Sequence, residues 1–219
     1  MLLFPDLTLL DFMGPYDTFV DSPCFEIYTI AATCDPIKAE GLTLTAEYDF
    51  TNCPDFDILF VPGGNGVTPL LQNSSYITFL QQKAETAQYI TSVCTGALLL
   101  AAAGLLDGYK ATTHWRSLDL LAMFDVEVVR ERYVHDRNRL TGGGVTAGID
   151  FGLKLYEVIG QKEVGEVTQL YLEYNPHPPF NSGSPLTAPE AVLKEALKET
   201  EVVYERRKKI IEEILKQKA

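Results

Sequence analysis

Positive charge is scarce in this sequence. Its 219 residues include 18 Lys and Arg against 30 Asp and Glu, which gives a formal net charge of −12 and an isoelectric point near 4.7. Such a chain repels the phosphate backbone of nucleic acids. We therefore expect no nucleic-acid partner.

Histidine is also rare, and the cysteines are not paired in sequence. There are three histidines and four cysteines, with no C-x-x-C motif among Cys24, Cys34, Cys53 and Cys94. This spacing predicts neither a zinc site nor a dense disulfide framework. A reduced, cytoplasmic protein without a metal is the default expectation.

Long apolar runs are absent, since no stretch reaches the roughly 18 residues that a membrane-spanning helix needs. The chain begins without a basic region and meets Pro5 and Asp6 early, so neither a signal peptide nor a membrane partner is expected. Hydrophobic residues still make up 46% of the sequence, enough for one globular domain with a full core.

Short apolar runs alternate with helical stretches, the pattern of an α/β protein with a mainly parallel sheet. The sequence predicts strands at 1–4, 25–30, 42–46, 57–61, 89–93, 126–129, 133–135 and 139–141, and helices at 9–20, 77–87, 97–103, 117–124 and 147–159.

A long helix is predicted at the C-terminus. Thr187 to Glu190 has capping-box spacing, and without a later helix breaker the helix should run for roughly 28 residues, or about 40 Å. We divide the chain into an α/β domain, 1–186, and this helix, 187–219, which is expected to pack on the domain or on a partner subunit. The basic run 206–209 is interpreted as a solvated face, with an anion site as the less favoured alternative.

Cys94 lies at a predicted junction between a buried strand and a helix. Ser92 and Gly96 complete the S-x-C-x-G pattern of a nucleophile elbow. Amides at a helix N-terminus lower the pKa of a thiol, so Cys94 is a candidate nucleophile. The alternative is a small buried hydrophobe, the expected role of the other three cysteines.

Other distinctive turns follow predicted strands, and the carboxyl ends of parallel strands share one edge of a sheet. Gly63 and Gly64 are candidate oxyanion donors, together with the Thr95 amide. Three further candidates for binding the substrate follow other strands: Thr113, His114 and Gly143. His114 is a candidate base or simply a packed residue, and the Gly142–Ala147 run matches a dinucleotide fingerprint too loosely to favour a nucleotide site.

Several motifs resemble those of the DJ-1/PfpI superfamily, and in particular of its members that hydrate isonitriles. The resemblance covers nearly the whole chain and is carried by residues 2–6, 10–15, 61–64, 92–96, 111–115, 140–151 and 169–185. It implies a class I glutamine-amidotransferase-like (flavodoxin-like) sandwich with helices on both faces of the sheet. It also implies a homodimer that needs no cofactor.

Carried over to this sequence, the resemblance makes Cys94 the nucleophile, Asp11 the general acid and base, and Thr95 their main-chain and hydroxyl partner. Asp11 is also placed near a strand-to-helix junction by the pattern alone. The implied reaction takes an isonitrile and water to an N-substituted formamide through a thioimidate on Cys94.

Two alternatives remain open. Similar domains occur as small-molecule sensors in AraC-type regulators, but only one helix follows Pro185 here, too little for a DNA-binding module. Glyoxalase- or deglycase-like members also use a cysteine. Many of those relatives, like the protease-like ones, place histidine directly after it, where this chain has Thr95.

Overall fold

A computed structural model describes residues 1–218. Its helices are α1 (Leu9–Phe19), α2 (Val67–Leu70), α3 (Ser74–Ala84), α4 (Gly96–Ala102), α5 (Leu118–Leu121), α6 (Ala147–Val158), α7 (Lys162–Tyr171) and α8 (Glu190–Lys218). Its strands are β1 (Ile30–Ala31), β2 (Ile37–Ala39), β3 (Leu42–Leu44), β4 (Tyr48–Asp49), β5 (Ile58–Val61), β6 (Tyr89–Val93), β7 (Tyr109–Ala111), β8 (Val126–Val128), β9 (Tyr133–Asp136) and β10 (Arg139–Gly142). A 3-10 turn, Trp115–Ser117, precedes α5.

The central sheet has the order β5-β6-β10-β9, in which β5, β6 and β10 are parallel and β9 is antiparallel. Two smaller pairs, β1-β4 and β7-β8, are also parallel, and β2-β3 is an antiparallel pair. The predicted α/β fold class is therefore confirmed.

Two predicted strands, 1–4 and 25–30, depart most from their expected extent. The Leu2 amide donates to Phe60 O at 3.0 Å and the Leu3 amide to Ile30 O at 2.7 Å, so this segment joins β1 to β5 through a bridge rather than a full strand. Pro5 has no amide to donate, and Asp6 turns the chain with a φ of 57°. The predicted strand 25–30 is ladder-paired only from Ile30 onward.

Hydrophobic cores cover both faces of the sheet, because successive side chains of a strand point to opposite sides. Leu59 belongs to a core that includes residues of α2, α3, α4 and α8, whereas Phe60 belongs to a second core that includes Phe151 and Tyr156 of α6. The carboxyl ends of β5, β6 and β10 are left free to carry loops at one edge.

Helix α8 has 29 residues, close to the predicted length, and packs against α2, α5 and the 3-10 turn. Ile211 and Ile214 are buried in the same core as Leu71. Arg207 lies one turn before Ile211 on this face and is only 7% exposed. The interpretation of 206–209 as a solvated face is therefore wrong for Arg207. None of the helices within residues 1–218 is long and apolar enough to cross a membrane.

Candidate active site

Cys94 stands on a sharp turn between β6 and α4, as the sequence predicts. Its φ of 56° lies in the left-handed region, which is unfavourable for a residue with a side chain. The Cys94 amide donates to Gly142 O at 3.0 Å and to Gly143 O at 2.8 Å, and Thr113 Oγ1 donates to Cys94 O at 2.7 Å. Gly143 and Thr113 thus contact the main chain of the elbow.

Gly63 lies between the two side chains that the resemblance pairs. A Cβ on Gly63 would come within 2.8 Å of Asp11 Oδ2, 2.8 Å of Cys94 Cβ and 2.6 Å of Thr95 N. Real Cβ atoms essentially never approach other atoms so closely. Only glycine at this position lets Asp11 and Cys94 come together.

Asp11 is fully buried in the first turn of α1. Burial raises its pKa from 3.8 to about 7, while the Cys94 thiol and the Gly63 amide oppose the rise. Neither carboxyl oxygen has a partner at ordinary hydrogen-bond geometry within the described chain. A substantial fraction of Asp11 therefore carries a proton at neutral pH.

The Cys94 thiol does not have the low pKa expected from its place at a helix N-terminus. Burial raises its pKa above the ordinary value, and the nearby Asp11 carboxyl adds to the rise. The amides of Thr95 and Val145 act in the opposite direction but are outweighed. The acid and the thiol share their protons, so their titrations belong to the pair.

The Gly64 and Thr95 groups are hydrogen-bonded to each other. The Gly64 amide donates to Thr95 Oγ1 at 3.0 Å, and Arg207 donates from Nη2 to Gly64 O at 2.6 Å. Since the Gly63 amide faces Asp11 and the Gly64 amide is occupied, this geometry does not present them as free oxyanion donors. They hold the acid and Thr95 in place instead.

His114 caps the 3-10 turn, where its Nδ1 accepts from the Arg116 amide at 3.3 Å. Burial, with a contribution from Arg207, lowers the pKa of His114 to about 4. A neutral imidazole whose Nδ1 is an acceptor carries its proton on Nε2. His114 is therefore a hydrogen-bond donor in this geometry rather than a base.

A cavity of about 270 Å³ opens over Cys94. Its walls come from the loops after the strands and from one face of α8: Thr8, Gly64, Asn65, Cys94, Thr95, His114, Arg116, Ser117, Val145, Glu199, Thr200, Val203, Tyr204 and Arg207. A larger cavity of about 710 Å³ lies near Tyr89, at the other end of β6, and includes none of the predicted site residues. Size alone therefore does not identify the site.

A model of the DJ-1/PfpI family matches residues 1–158. The chain belongs to this family. It is 46% identical to the isonitrile hydratase of Pseudomonas putida over 198 aligned residues. These residues are 90% of this chain and 87% of that enzyme. The fold also matches the crystal structure of a THiJ/PfpI family protein from Pseudomonas syringae, with a TM-score of 0.93. The two sequences are 40% identical, and the superposition covers 96% of this chain and 88% of the Pseudomonas syringae chain.

A different kind of relative is the HTH-type transcriptional regulator GbdR of Pseudomonas aeruginosa. It is 37% identical over 119 residues, which are 53% of this chain and 32% of the regulator. The chain is thus similar to proteins of more than one functional class.

Sequence analysis missed the contribution of α8 to this DJ-1/PfpI site. Arg116 donates from Nε to the Thr200 hydroxyl at 3.2 Å and from Nη2 to Glu201 Oε2 at 2.7 Å, and its guanidinium lies 3.6 Å from the centre of the Tyr204 ring. Tyr204 also donates to Asp119. These contacts hold α8 over the cavity.

The missed signal was periodic. Positions 203, 207, 211 and 214 recur at helical spacing, and the apolar members of that set indicate a buried stripe that includes Arg207.

Among residues 1–218, no group of three or more His, Cys, Asp and Glu side chains is arranged to hold a metal ion.

Proposed function

We propose that this protein is an isonitrile hydratase, a lyase that adds water to R–N≡C and yields the N-substituted formamide R–NH–CHO. The observation that carries the proposal is the buried Asp11 carboxyl beside the Cys94 thiol, with its pKa raised to about 7. The 46% identity to the Pseudomonas putida enzyme over most of both chains supports it.

In the first step, the terminal carbon of the isonitrile takes a proton from Asp11 while the Cys94 sulfur bonds to that carbon. The product is a thioimidate, R–N=CH–S–Cys94, and Asp11 is left ionised. An acid with a pKa near the working pH suits this transfer because it can both give and accept a proton. Before this step the pair holds one proton, which moves from the Cys94 thiol to the Asp11 carboxylate and leaves the sulfur as thiolate. The amides of Thr95 and Val145 stabilise that thiolate.

In the second step, ionised Asp11 takes a proton from water as the hydroxide bonds to the thioimidate carbon. The other water proton ends on nitrogen, the C–S bond breaks, and the thiolate leaves. Cys94 and Asp11 return to their starting protonation, so protons and electrons balance. The isonitrile and water are the only reactants, and the chain's own residues supply all the acid–base chemistry.

The remaining residues have supporting roles in this proposal. Thr95, hydrogen-bonded to Gly64, orients the amide that faces the sulfur, and the neutral His114 offers a donor to the substrate. Thr113 and Gly143 hold the elbow, and Gly63 allows the close approach of acid and thiol.

A homodimer is part of the proposal. Exposed apolar side chains mark interfaces when they cluster. Large apolar side chains are exposed on α7 and on the segment that follows it: Val167, Leu170, Tyr171, Phe180 and Leu186.

A second candidate function is a small-molecule sensor without turnover, favoured by the similarity to GbdR over half of the chain. The third alternative, a glyoxalase- or deglycase-like activity, would use the same cysteine.

The experiment that tests the proposal is incubation with a small isonitrile, followed by detection of the formamide. Parallel incubation with methylglyoxal, followed by detection of lactate, tests the glyoxalase alternative. Cys94→Ala and Asp11→Asn should each lower the hydration rate about 1000-fold or more. Cys34→Ala, at an exposed cysteine, is the matched control. Absence of formamide at high enzyme concentration would overturn the proposal, and an isonitrile-induced thermal shift without product would support the sensor.

A further inference from the structure

Arg207 is a buried cation without a carboxylate partner. Its side chain donates from Nε to Thr68 Oγ1 at 2.9 Å and from Nη2 to Gly64 O at 2.6 Å, both neutral acceptors. Among the ion pairs of the described residues, none includes Arg207. Burying a charge without a counter-charge is energetically unfavourable. Packing of α8 on the domain does not by itself explain why a charged residue occupies this buried position.

The guanidinium faces the reacting groups. Arg207 and Cys94 line the same cavity; burial lowers the pKa of Arg207, and negative charge on Cys94 opposes that fall. Burial lowers the pKa of His114, and the positive charge of Arg207 lowers it further. A cation in this position supplies the missing counter-charge whenever the sulfur is a thiolate.

The same side chain fixes the loop that carries Gly63. By holding the Gly64 carbonyl, Arg207 orients the peptide unit next to the Gly64 amide, which donates to Thr95 Oγ1. Thr95 in turn presents its main-chain amide to the Cys94 sulfur. One residue of α8 is therefore connected to the nucleophile through three successive hydrogen bonds.

We propose that Arg207 is a positioning residue of this site, which holds Gly64 and Thr95 in register with Cys94 and offsets the negative charge of the Cys94 thiolate. The proposal depends on the proposed function only in taking Cys94 as the nucleophile, and not on the identity of the substrate.

Other ionisable groups also face this cavity and contribute to any pH profile. They come from the elements packed around Arg207: Cys94 of the elbow, His114 and Arg116 at the 3-10 turn, and Glu199 and Tyr204 of α8. Asp11 of α1 does not line the cavity but acts on it through its contact with Cys94. A change at Arg207 must therefore be compared with an equal change of charge elsewhere on the same helix.

Arg206 provides that comparison, because it precedes Arg207 directly and is exposed. Arg206→Gln and Arg207→Gln remove the same formal charge. The rate of Cys94 alkylation by iodoacetamide, followed from pH 5 to 11 by mass spectrometry of the Cys94 peptide, reports the thiolate fraction without any turnover. The pH at which this rate reaches a fixed reference value is taken as the midpoint.

We expect Arg207→Gln to raise the pH midpoint of Cys94 alkylation by about one unit, as loss of a nearby opposite charge does. Arg206→Gln should leave the midpoint within about 0.2 units of wild type, because exposed charges are screened. Equal midpoints for the two variants would overturn the electrostatic part of the proposal.

Arg207→Lys separates position from charge and remains informative if the glutamine variant does not fold. Lysine keeps the charge but lacks the two-pronged geometry. We expect a wild-type midpoint with kcat for isonitrile hydration lowered about 10-fold at nearly unchanged KM. Full kcat in this variant would overturn the positioning part. A wild-type protein that alkylates normally but makes no formamide would instead count against the proposed function alone.

Discussion

The Thr113 hydroxyl donates to the main-chain carbonyl of Cys94 at 2.7 Å, 19 residues away in sequence. Both residues are buried, and the elbow holds Cys94 in a left-handed conformation that costs about 1–3 kcal/mol. The hydrogen bond therefore offsets part of the strain at the residue that carries the thiol.

Thr113→Val should remove this hydrogen bond and leave the Cys94 carbonyl without it. We expect a loss of about 1–3 kcal/mol in unfolding free energy and about a 10-fold fall in kcat. Thr91→Val is the matched control, since Thr91 Oγ1 donates to Leu59 O at 2.8 Å in the interior of the same sheet. Urea unfolding and steady-state kinetics measure the two effects. Equal losses of activity in both variants would argue against a specific role for Thr113.

The activity should rise with pH through about 7, the pKa to which burial raises Asp11. Below that pH both the acid and the thiol are protonated, whereas the reaction needs one proton shared between them. A pH profile of kcat/KM for a small isonitrile measures the midpoint of this rise in activity. A midpoint near 4 would point to His114 instead, because the pKa of that residue is lowered to about 4.

Asp11→Asn should abolish activity yet stabilise the fold above neutral pH. The folded pKa of Asp11, about 7, lies above its unfolded value of 3.8, so the unfolded chain loses its proton first as the pH rises. Wild-type stability therefore falls between pH 4 and 7, by up to about 4 kcal/mol from this group. Asparagine does not titrate, so the unfolding free energy of the variant does not fall with pH through this group.

Urea unfolding of the wild type and of Asp11→Asn at pH 4.5 and pH 8 checks this sign. The advantage of the variant should be larger at pH 8. A variant that is equally destabilised at both values would show that the carboxyl is not a buried, strained acid.

Val203 should influence which isonitriles are accepted, because it lines the same cavity as Cys94. Val203→Phe narrows the cavity, and we expect KM for a bulky isonitrile to rise about 10-fold or more, with a smaller effect on a compact one. Val202→Phe is the control, since Val202 is 80% exposed on the same helix. Identical KM values for the two variants would remove α8 from the substrate pocket.

Leu170→Glu should weaken the proposed homodimer. Leu170 is 81% exposed on α7, and a carboxylate in an apolar interface is costly to bury. Sedimentation velocity should show a dimer for the wild type and a monomer for the variant. Leu42→Glu introduces the same charge at another exposed leucine and should remain dimeric. A monomeric wild type would refute the proposal directly.

The sequence predicted those parts of the fold that depend on local pattern. The run Tyr89–Val93 forms a strand with the predicted bounds, because β-branched residues between turn signals leave little choice. The extent of β1 depends on which strand pairs with it, and the local sequence pattern holds no information about that partner.

The site shows the same division. The turn at Cys94 follows from the adjacent strand and helix, so its place was predictable. The pKa values of Cys94 and Asp11 were not, since they depend on how completely two distant segments bury each other. Arg207 was missed because a basic run suggests exposure, although its spacing from Ile211 and Ile214 places it on the buried face.

The raised pKa of Cys94 also bears on how the protein withstands oxidants. Peroxides react with the thiolate far faster than with the thiol, and a thiol buried beside a carboxyl spends little time ionised. The resting protein should therefore be a slow target for peroxide, even though its chemistry depends on a sulfur nucleophile. In the proposed reaction an isonitrile escapes this protection because it accepts, by way of Asp11, the proton that holds the thiol inert, so the substrate itself would release the reactivity of the sulfur.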